Sequence, residues 1–307
     1  MLLTGNSSGE LISFKLNMSN EKNNFTLKNL YSLKRFSIDQ LSITKREEIF
    51  FGSKNGTFGI LTKNKNRIVK NKDVGDRKLN AYHMLKNGNI IAFYDNYIRT
   101  WKRYKDFCFF SVNKLICEKQ FDYTFMDKTE RFFLSTSFFD NKIYVWNLMK
   151  NKLILSGKTE LKEFIISLKG ISENLFSIGT HTGSIYIYSI YGELIKSFKK
   201  KNSKINFLKP DLHKTAAWLN SNILFSGKLS GRIEIFDIRC DTNISSINGH
   251  SCEISNLEIS TSNLYLSPFI LASSDVSGNL KLWDIRNKKE VFFHKKFSSK
   301  ITSFCFF

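Results

Sequence analysis

LASSDVSGNLKLWDIR, residues 271–286, is the stretch that decides the fold, because it holds two short β-strand patterns and a tight turn between them. Residues Leu271–Ser273 are small and apolar, and Asp275–Gly278 supplies the polar residues and the glycine that turns favour. An extended pattern resumes at Leu280 and runs to Trp283. The stretch therefore predicts a β-hairpin whose second strand closes on Asp284.

The same pattern occurs at six other places along the chain. It is strongest towards the carboxyl end and weakest in the first three copies. The copies are LLTGNSSGELISF (2–14), IFFGSKNGTFGIL (49–61), IIAFYDNYIRTWK (90–102), FFLSTSFFDNKIYVWNL (132–148), LFSIGTHTGSIYIYSI (175–190) and ILFSGKLSGRIEIFDIR (223–239).

The spacing of these copies predicts an all-β fold in seven units. The residue equivalent to Trp283 recurs every 40 to 48 residues, at Phe14, Leu61, Trp101, Trp146, Tyr188 and Phe236. Repeats of about 40 to 45 residues with four strands each are typical of propeller blades. We therefore predict a seven-bladed β-propeller that occupies residues 1–307 as a single domain.

The two ends of the chain complement each other. Met1–Gly5 and Glu10–Leu16 read as the second and third strands of a blade that has no first strand before them. Lys288–Phe297 supplies a fourth strand for the last unit, and Lys300–Phe307 then reads as a lone first strand. We expect this carboxyl-terminal strand to pair with the amino-terminal blade and close the ring without an unpaired edge.

The closing Trp283-Asp284 pair and the Gly249-His250 pair, 33 residues before Trp283, resemble the WD-repeat family. The resemblance covers essentially the whole chain. It implies a structural hydrogen-bonded chain of histidine, serine, aspartate and tryptophan inside a blade, in which His250, Ser273 and Trp283 match three places. The aspartate place, six residues before the tryptophan, holds Ser277. We therefore expect no blade to have the complete network.

No motif of the sequence indicates catalysis. A Walker loop, a GxSxG elbow and an HExxH pair are all absent, and the five histidines lie in different units. The five cysteines lack metal-ligand spacing and are odd in number, which favours a reduced intracellular compartment, nuclear or cytoplasmic. No apolar run of about 18 residues is present. We expect no enzyme, cofactor, metal, small-molecule substrate or membrane insertion.

The net charge of +20 has two open interpretations. It can reflect a polyanionic partner, RNA or an acidic protein segment, or it can reflect an A/T-biased coding sequence, because 37 of the 47 basic residues are lysine. The turns that we expect on one side of the ring carry most of the basic residues. This candidate polyanion-binding face comprises Lys63, Lys65, Arg67, Lys102, Arg103, Lys105, Lys150, Lys152, Lys288 and Lys289.

The resemblance implies a non-catalytic protein-interaction scaffold in an intracellular multi-subunit assembly. A basic face would suit a ribonucleoprotein or ribosome-assembly setting. An alternative uses Asp237-Ile238-Arg239 and Asp284-Ile285-Arg286, which resemble the WDxR boxes of substrate receptors of cullin-type ubiquitin ligases. In that case Asp237, Arg239, Asp284 and Arg286 would contact an adaptor, whereas in the other interpretation each arginine caps its own blade.

Overall fold

A computed structural model of the protein describes residues 2–19, 22–32, 37–43, 48–53, 58–61, 66–69, 79–84, 89–94, 97–104, 108–116, 123–128, 132–137, 141–149, 152–170, 174–199, 213–219, 222–260, 269–286 and 291–306. Over these ranges the regular secondary structure consists of β-strands alone, which confirms the predicted all-β class. The chain divides into two compact units, Met1–Phe121 with Phe297–Phe307, and Asp122–Lys296. A single domain over residues 1–307 stays a prediction.

The strands follow one another through short turns. In the first unit they are β1 (Leu2–Asn6), β2 (Glu10–Ser19), β3 (Lys22–Ser32), β4 (Gln40–Ile43), β5 (Ile49–Gly52), β6 (Phe58–Leu61), β7 (Asn66–Val69), β8 (Leu79–Met84), β9 (Ile90–Tyr94), β10 (Tyr97–Tyr104) and β11 (Cys108–Ile116). In the second unit they are β12 (Tyr123–Lys128), β13 (Phe132–Ser137), β14 (Lys142–Met149), β15 (Lys152–Glu160), β16 (Ile165–Gly170), β17 (Leu175–Thr180), β18 (Ile185–Ser189), β19 (Leu194–Phe198), β20 (His213–Trp218), β21 (Ile223–Lys228), β22 (Arg232–Asp237), β23 (Asn243–Asn248), β24 (Ile254–Ile259), β25 (Ile270–Asp275), β26 (Asn279–Asp284) and β27 (Val291–Lys296). The last strand, β28 (Ile301–Phe306), belongs to the first unit.

Within the described ranges these strands form seven antiparallel sheets of four strands each, one for every repeat. The first sheet has the order β28-β1-β2-β3, and each of the other six takes four consecutive strands, from β4–β7 in the second sheet to β24–β27 in the seventh. Four-stranded antiparallel sheets of this kind are consistent with the blades of a β-propeller.

The pairing of β28 with β1 confirms the predicted use of the carboxyl-terminal strand. Leu2 lies opposite Phe306, and Thr4 lies opposite Phe304. Beyond the ladder, the Ser7 N–H donates to the Lys300 carbonyl at 2.8 Å. The hydroxyl of Ser303 donates to the Ile38 carbonyl at 2.9 Å, which ties the same strand to the segment that leads into the second sheet.

A common hairpin turn joins the second and third strands of several sheets. Gly9, Gly183, Gly231 and Gly278 have φ between +81° and +85° in this turn, a region that L-residues with a Cβ rarely adopt. Each of these glycines donates its N–H to the carbonyl of the residue three positions earlier. In the fourth sheet Asn141, with φ of 49°, stands at the end of the equivalent turn, as the tolerance of asparagine for left-handed backbone permits.

Apolar clusters join consecutive sheets within each unit. In the second unit, Phe176 and Ile178 of the fifth sheet pack with Leu134 and Val145 of the fourth. Two further clusters join the fifth sheet to the sixth and the sixth to the seventh. In the first unit, Leu11, Ile38, Phe51 and Leu61 form such a cluster between the first two sheets. Each of these buried side chains contributes about 1.5–3 kcal/mol, so the faces of the sheets supply most of the stability.

We expect deletion of residues 300–307 to lower the free energy of unfolding by at least about 3 kcal/mol. The deletion removes the partner strand of β1 and the side chain of Ile301, which is only 1% exposed. Urea unfolding followed by circular dichroism measures the change. Removal of Phe307 alone, which lies beyond β28, is the control, and equal stability of the two truncated chains would contradict the structural role of the strand.

Candidate functional site

The three residues predicted to form a hydrogen-bonded network lie together in the seventh sheet. His250 precedes β24, Ser273 lies in β25 and Trp283 lies in β26. Nε2 of His250 is 2.7 Å from Ser273 Oγ, and the indole N–H of Trp283 donates to the same oxygen at 2.8 Å. Cross-strand pairing places Leu271 opposite Trp283 and Ser273 opposite Lys281, so the ladder sets the two side chains at neighbouring positions.

Asp275 completes this network, and the expectation that no blade has a complete set is wrong. Nδ1 of His250 is 3.1 Å from Asp275 Oδ2. The sequence comparison placed the aspartate at Ser277, at a fixed distance from the tryptophan. The residue that reaches His250 is instead the last one of β25, which pairs with Ile254 and therefore stands beside the segment that carries the histidine.

Asp275 also fixes its own hairpin. Its Oδ1 accepts the backbone N–H groups of Ser277 and Asn279, each at 2.9 Å, and its Oδ2 accepts from Asn279 Nδ2 at 2.7 Å. Burial by itself would raise the pKa of Asp275, but the hydrogen bonds from Asn279 and the contact with His250 outweigh it and lower the pKa. The carboxylate thus stays ionised and holds the turn and the histidine together.

The histidine is neutral in the folded protein. Burial lowers the pKa of His250 to about 4, and this effect outweighs the opposing influence of the Asp275 carboxylate. A neutral ring with its proton on Nδ1 satisfies every contact, because Nδ1–H donates to Asp275 and Nε2 accepts from the Ser273 hydroxyl. The Ser273 oxygen in turn accepts from Trp283.

Serine, histidine and aspartate in this order have the connectivity of a hydrolase triad. A nucleophile must meet its substrate, however, and Ser273 is 0% exposed. Its Oγ is also occupied by the indole N–H of Trp283. The arrangement therefore holds β24, β25 and β26 in place and performs no acyl transfer. Half of it recurs in the fourth sheet, where Trp146 Nε1 donates to Ser135 Oγ at 2.8 Å.

The candidate adaptor contacts form two ion pairs, each closed on its own strand end. Asp237 ends β22, and its carboxylate accepts from Arg239 Nε at 2.9 Å and from Arg239 Nη2 at 2.5 Å. Asp284 ends β26 and accepts from Arg286 Nε at 2.9 Å and from Nη2 at 2.6 Å. The hydrogen bonds from Arg239 lower the pKa of Asp237 to about 2. The geometry is that of a cap on the turn that follows the third strand.

A second polar cluster, in the fifth sheet, escaped the sequence reasoning. The Glu163 carboxylate accepts from the hydroxyls of Thr180 and Thr182, each at 2.5 Å, and from the Tyr186 hydroxyl at 2.7 Å. Burial would raise the pKa of Glu163, but these three hydroxyls lower it, and burial together with Glu163 raises the pKa of Tyr186 to about 12. A glutamate two residues before a strand and a Thr-x-Thr-Gly hairpin are the only sequence signals.

The fifth, sixth and seventh sheets use different chemistry at one register position. The last residue of the second strand pairs with the first residue of the first strand, and it is Thr180, Lys228 and Asp275 in turn. Thr180 binds the carboxylate of Glu163, whereas Lys228, with a side chain only 8% exposed, pairs with Glu234 at 2.6 Å. Each sheet thus satisfies a charged or polar group at the same point of its hairpin.

The candidate polyanion-binding face falls almost wholly outside the described residues. Lys102, in β10, is exposed. Arg67, Arg103 and Lys152 lie in β7, β10 and β15, and their side chains are outside the description. Positions outside the described ranges are Lys63, Lys65, Lys105, Lys150, Lys288 and Lys289. Binding of a polyanion at this face stays a prediction.

Other groups of the described ranges add no ligand site. Across these ranges no cluster of three histidine, cysteine or acidic side chains could hold a metal ion. Nor do they contain a helix with the length and hydropathy needed to span a membrane.

No protein-family model matches the chain, and no curated protein matches it. Among solved structures, the chain is similar to a chain of a structure titled "Crystal Structure of Mitotic Checkpoint Complex". The two share 20% sequence identity with a TM-score of 0.47, over 58% of this chain and 52% of the other. The chain thus spans 52% of the length of that solved chain, and the fold described above rests on its own strand pairing.

We expect acidification from pH 7 to pH 5 to lower the free energy of unfolding by about 2 kcal/mol through His250 alone. The unfolded chain binds a proton near the ordinary histidine pKa of 6.5, while the folded chain resists it down to about 4, so stability is lost as pH falls between these values. The lowered pKa of Asp275 adds its loss below 3.8.

The His250→Gln variant should lose this part of the pH dependence, because glutamine does not titrate. His294→Gln, which changes an exposed histidine of the same sheet, is the matched control and should keep the slope of the parent protein. Urea titrations at the two pH values measure it. An unchanged slope in His250→Gln would show that the buried histidine does not govern acid stability.

Proposed function

We propose that the protein is a non-catalytic interaction scaffold of an intracellular multi-subunit assembly, built as a seven-bladed β-propeller that is closed by β28 and β1. One observation carries this proposal. The groups best suited to chemistry or to adaptor contact, the His250 network and the two aspartate–arginine pairs, are occupied in holding the strands of their own sheets. What the repeats leave for other molecules is a rigid frame with variable turns, which is a means of binding.

Two further features support a scaffold in a reducing compartment. The same four-stranded unit recurs for every sequence repeat, so turns of different sequence are held by equivalent strands. Cys240 and Cys252 carry thiols rather than disulfides. The nuclear or cytoplasmic setting follows from neither feature.

A second candidate function, the binding of RNA or another polyanion in a ribonucleoprotein, is favoured by the net charge of +20. Lysine outnumbers arginine in this chain, so such binding would use point charges and tolerate sequence changes in the RNA. This function is compatible with a scaffold, because ribonucleoprotein assemblies combine protein and RNA contacts.

The adaptor alternative and the capping interpretation of Arg239 and Arg286 make opposite forecasts. We expect Arg239→Ala and Arg286→Ala to lower the melting temperature, because Asp237 and Asp284 lose their bidentate partners, and to leave the set of co-purifying proteins unchanged. Arg232→Ala, which changes an exposed arginine of β22, is the control and should melt like the parent protein.

Cross-linked affinity purification of the full chain, with mass spectrometry and thermal melts, measures both effects. Variants that melt like the parent and lose one protein would favour the adaptor role. A parent chain that enriches no protein above a mock purification would contradict the scaffold function itself.

A further inference from the structure

The surface around the turn between β18 and β19 is unusually apolar for an exposed region. The described residues include six large apolar side chains that are exposed, and four of them lie here or on the next sheet. Tyr191 is 76% exposed, Leu194 52%, Ile195 48% and Ile244 47%. We call these four residues the outer-turn patch. Single exposed apolar residues are ordinary, but a cluster on one surface marks an interaction site.

A β-bulge explains why neighbouring residues of β19 are both exposed. Ile187 pairs with Lys196 and Tyr188 pairs with Leu194, so Ile195 is an extra residue in the outer strand. An extra residue breaks the alternation of side chains between the two faces, and Leu194 and Ile195 consequently both meet solvent. The sixth sheet repeats the device, since Ile235 pairs with Ser245 and Phe236 with Asn243, which leaves Ile244 as the extra residue.

An ion pair joins the two parts of the patch. Lys196 Nζ, next to Ile195 in sequence, is 2.6 Å from Oδ1 of Asp241, which lies three residues before Ile244. Behind the strands, Phe198 and Phe236 are in ring contact with centroids 4.8 Å apart, so the fifth and sixth sheets are packed together here. The four apolar side chains therefore belong to one surface of one compact unit.

The charges around the patch point to the chemistry of its partner. The described segments 189–199 and 237–248 contain three cations, Lys196, Lys199 and Arg239, and three anions, Glu193, Asp237 and Asp241, in a chain of net charge +20. Two of the cations are held by Asp241 and Asp237. The patch itself is thus locally neutral and apolar. A basic run, Lys199–Lys201, follows directly after β19 in the sequence.

We propose that the outer-turn patch docks an extended acidic protein segment that carries large apolar side chains at one end. The apolar side chains contact Tyr191, Leu194, Ile195 and Ile244, and the acidic residues lie near the Lys199 end of β19, about 16 Å away at the rise of an extended strand. The proposal rests on the scaffold function and names its partner. A second copy of the chain is disfavoured as the occupant, because two bodies of charge +20 repel each other.

The test uses a phage-displayed library of random 12-residue peptides, selected on the full chain. We expect enriched peptides to combine two or more large apolar residues with a separate group of aspartates and glutamates. The double change Leu194→Ser with Ile195→Thr should weaken binding of these peptides at least about tenfold. Lys199→Glu should weaken it as well and reduce its dependence on salt.

Controls separate loss of the patch from loss of the fold. Phe164→Ser with Val276→Ser removes the other two exposed apolar side chains and should leave peptide binding unchanged. Ile244→Thr reaches the patch from the neighbouring sheet and should weaken binding even if the double variant proves unstable in thermal melts. Enrichment of basic peptides, no enrichment, or enriched peptides that bind the patch variants as well as the parent would overturn the proposal.

Two further outcomes distinguish this proposal from the scaffold function. Sedimentation that shows a dimer of the parent chain, lost in the double variant, would assign the patch to a second copy and overturn the acidic partner. In cross-linked purification, patch variants that keep every protein partner of the parent would overturn the patch and leave the scaffold function intact. A parent chain without protein partners would remove both.

Discussion

The first sheet is assembled from both ends of the chain, and the rest of its architecture depends on that pairing. β1 has β2 on one side, and its other edge is hydrogen-bonded by β28, whose residues lie about 300 positions away in sequence. The approach is close: a Cβ on Gly5 would lie 2.7 Å from Ser303 Oγ, so only glycine permits it. A sheet edge that would otherwise be open to other chains is thereby covered by the protein itself.

Within each sheet, a polar group at the end of the second strand connects the hairpin to the segment before the first strand. Asp275 does so through His250, and Thr180 does so through Glu163, although the two sheets share no polar residue at these places. The constraint is geometric, because the register brings the same two positions together in both sheets. Polar residues that look catalytic in the sequence are therefore used to fix strands, and binding is left to the surface turns and bulges.

Much of the fold was predictable from the sequence because repeats, turn glycines and apolar strands are local signals. The pairing of residues 301–306 with β1 followed from counting strands at each end. The histidine network was predicted only in part, since the place of Asp275 depends on cross-strand register rather than on distance along the chain. Glu163 and the exposed bulge residues Ile195 and Ile244 were missed, because hydroxyl partners and bulges leave no regular pattern in one sequence.

Backbone hydrogen exchange, resolved by peptide mass spectrometry on the full chain, tests the central claim that the two ends of the chain form one sheet. The account predicts that amides of residues 2–6 and 301–306 exchange as slowly as those of β17 and β25, because a ladder protects them on the same terms. Exchange of residues 301–306 at the rate of an unstructured peptide, with β17 and β25 still protected, would contradict it.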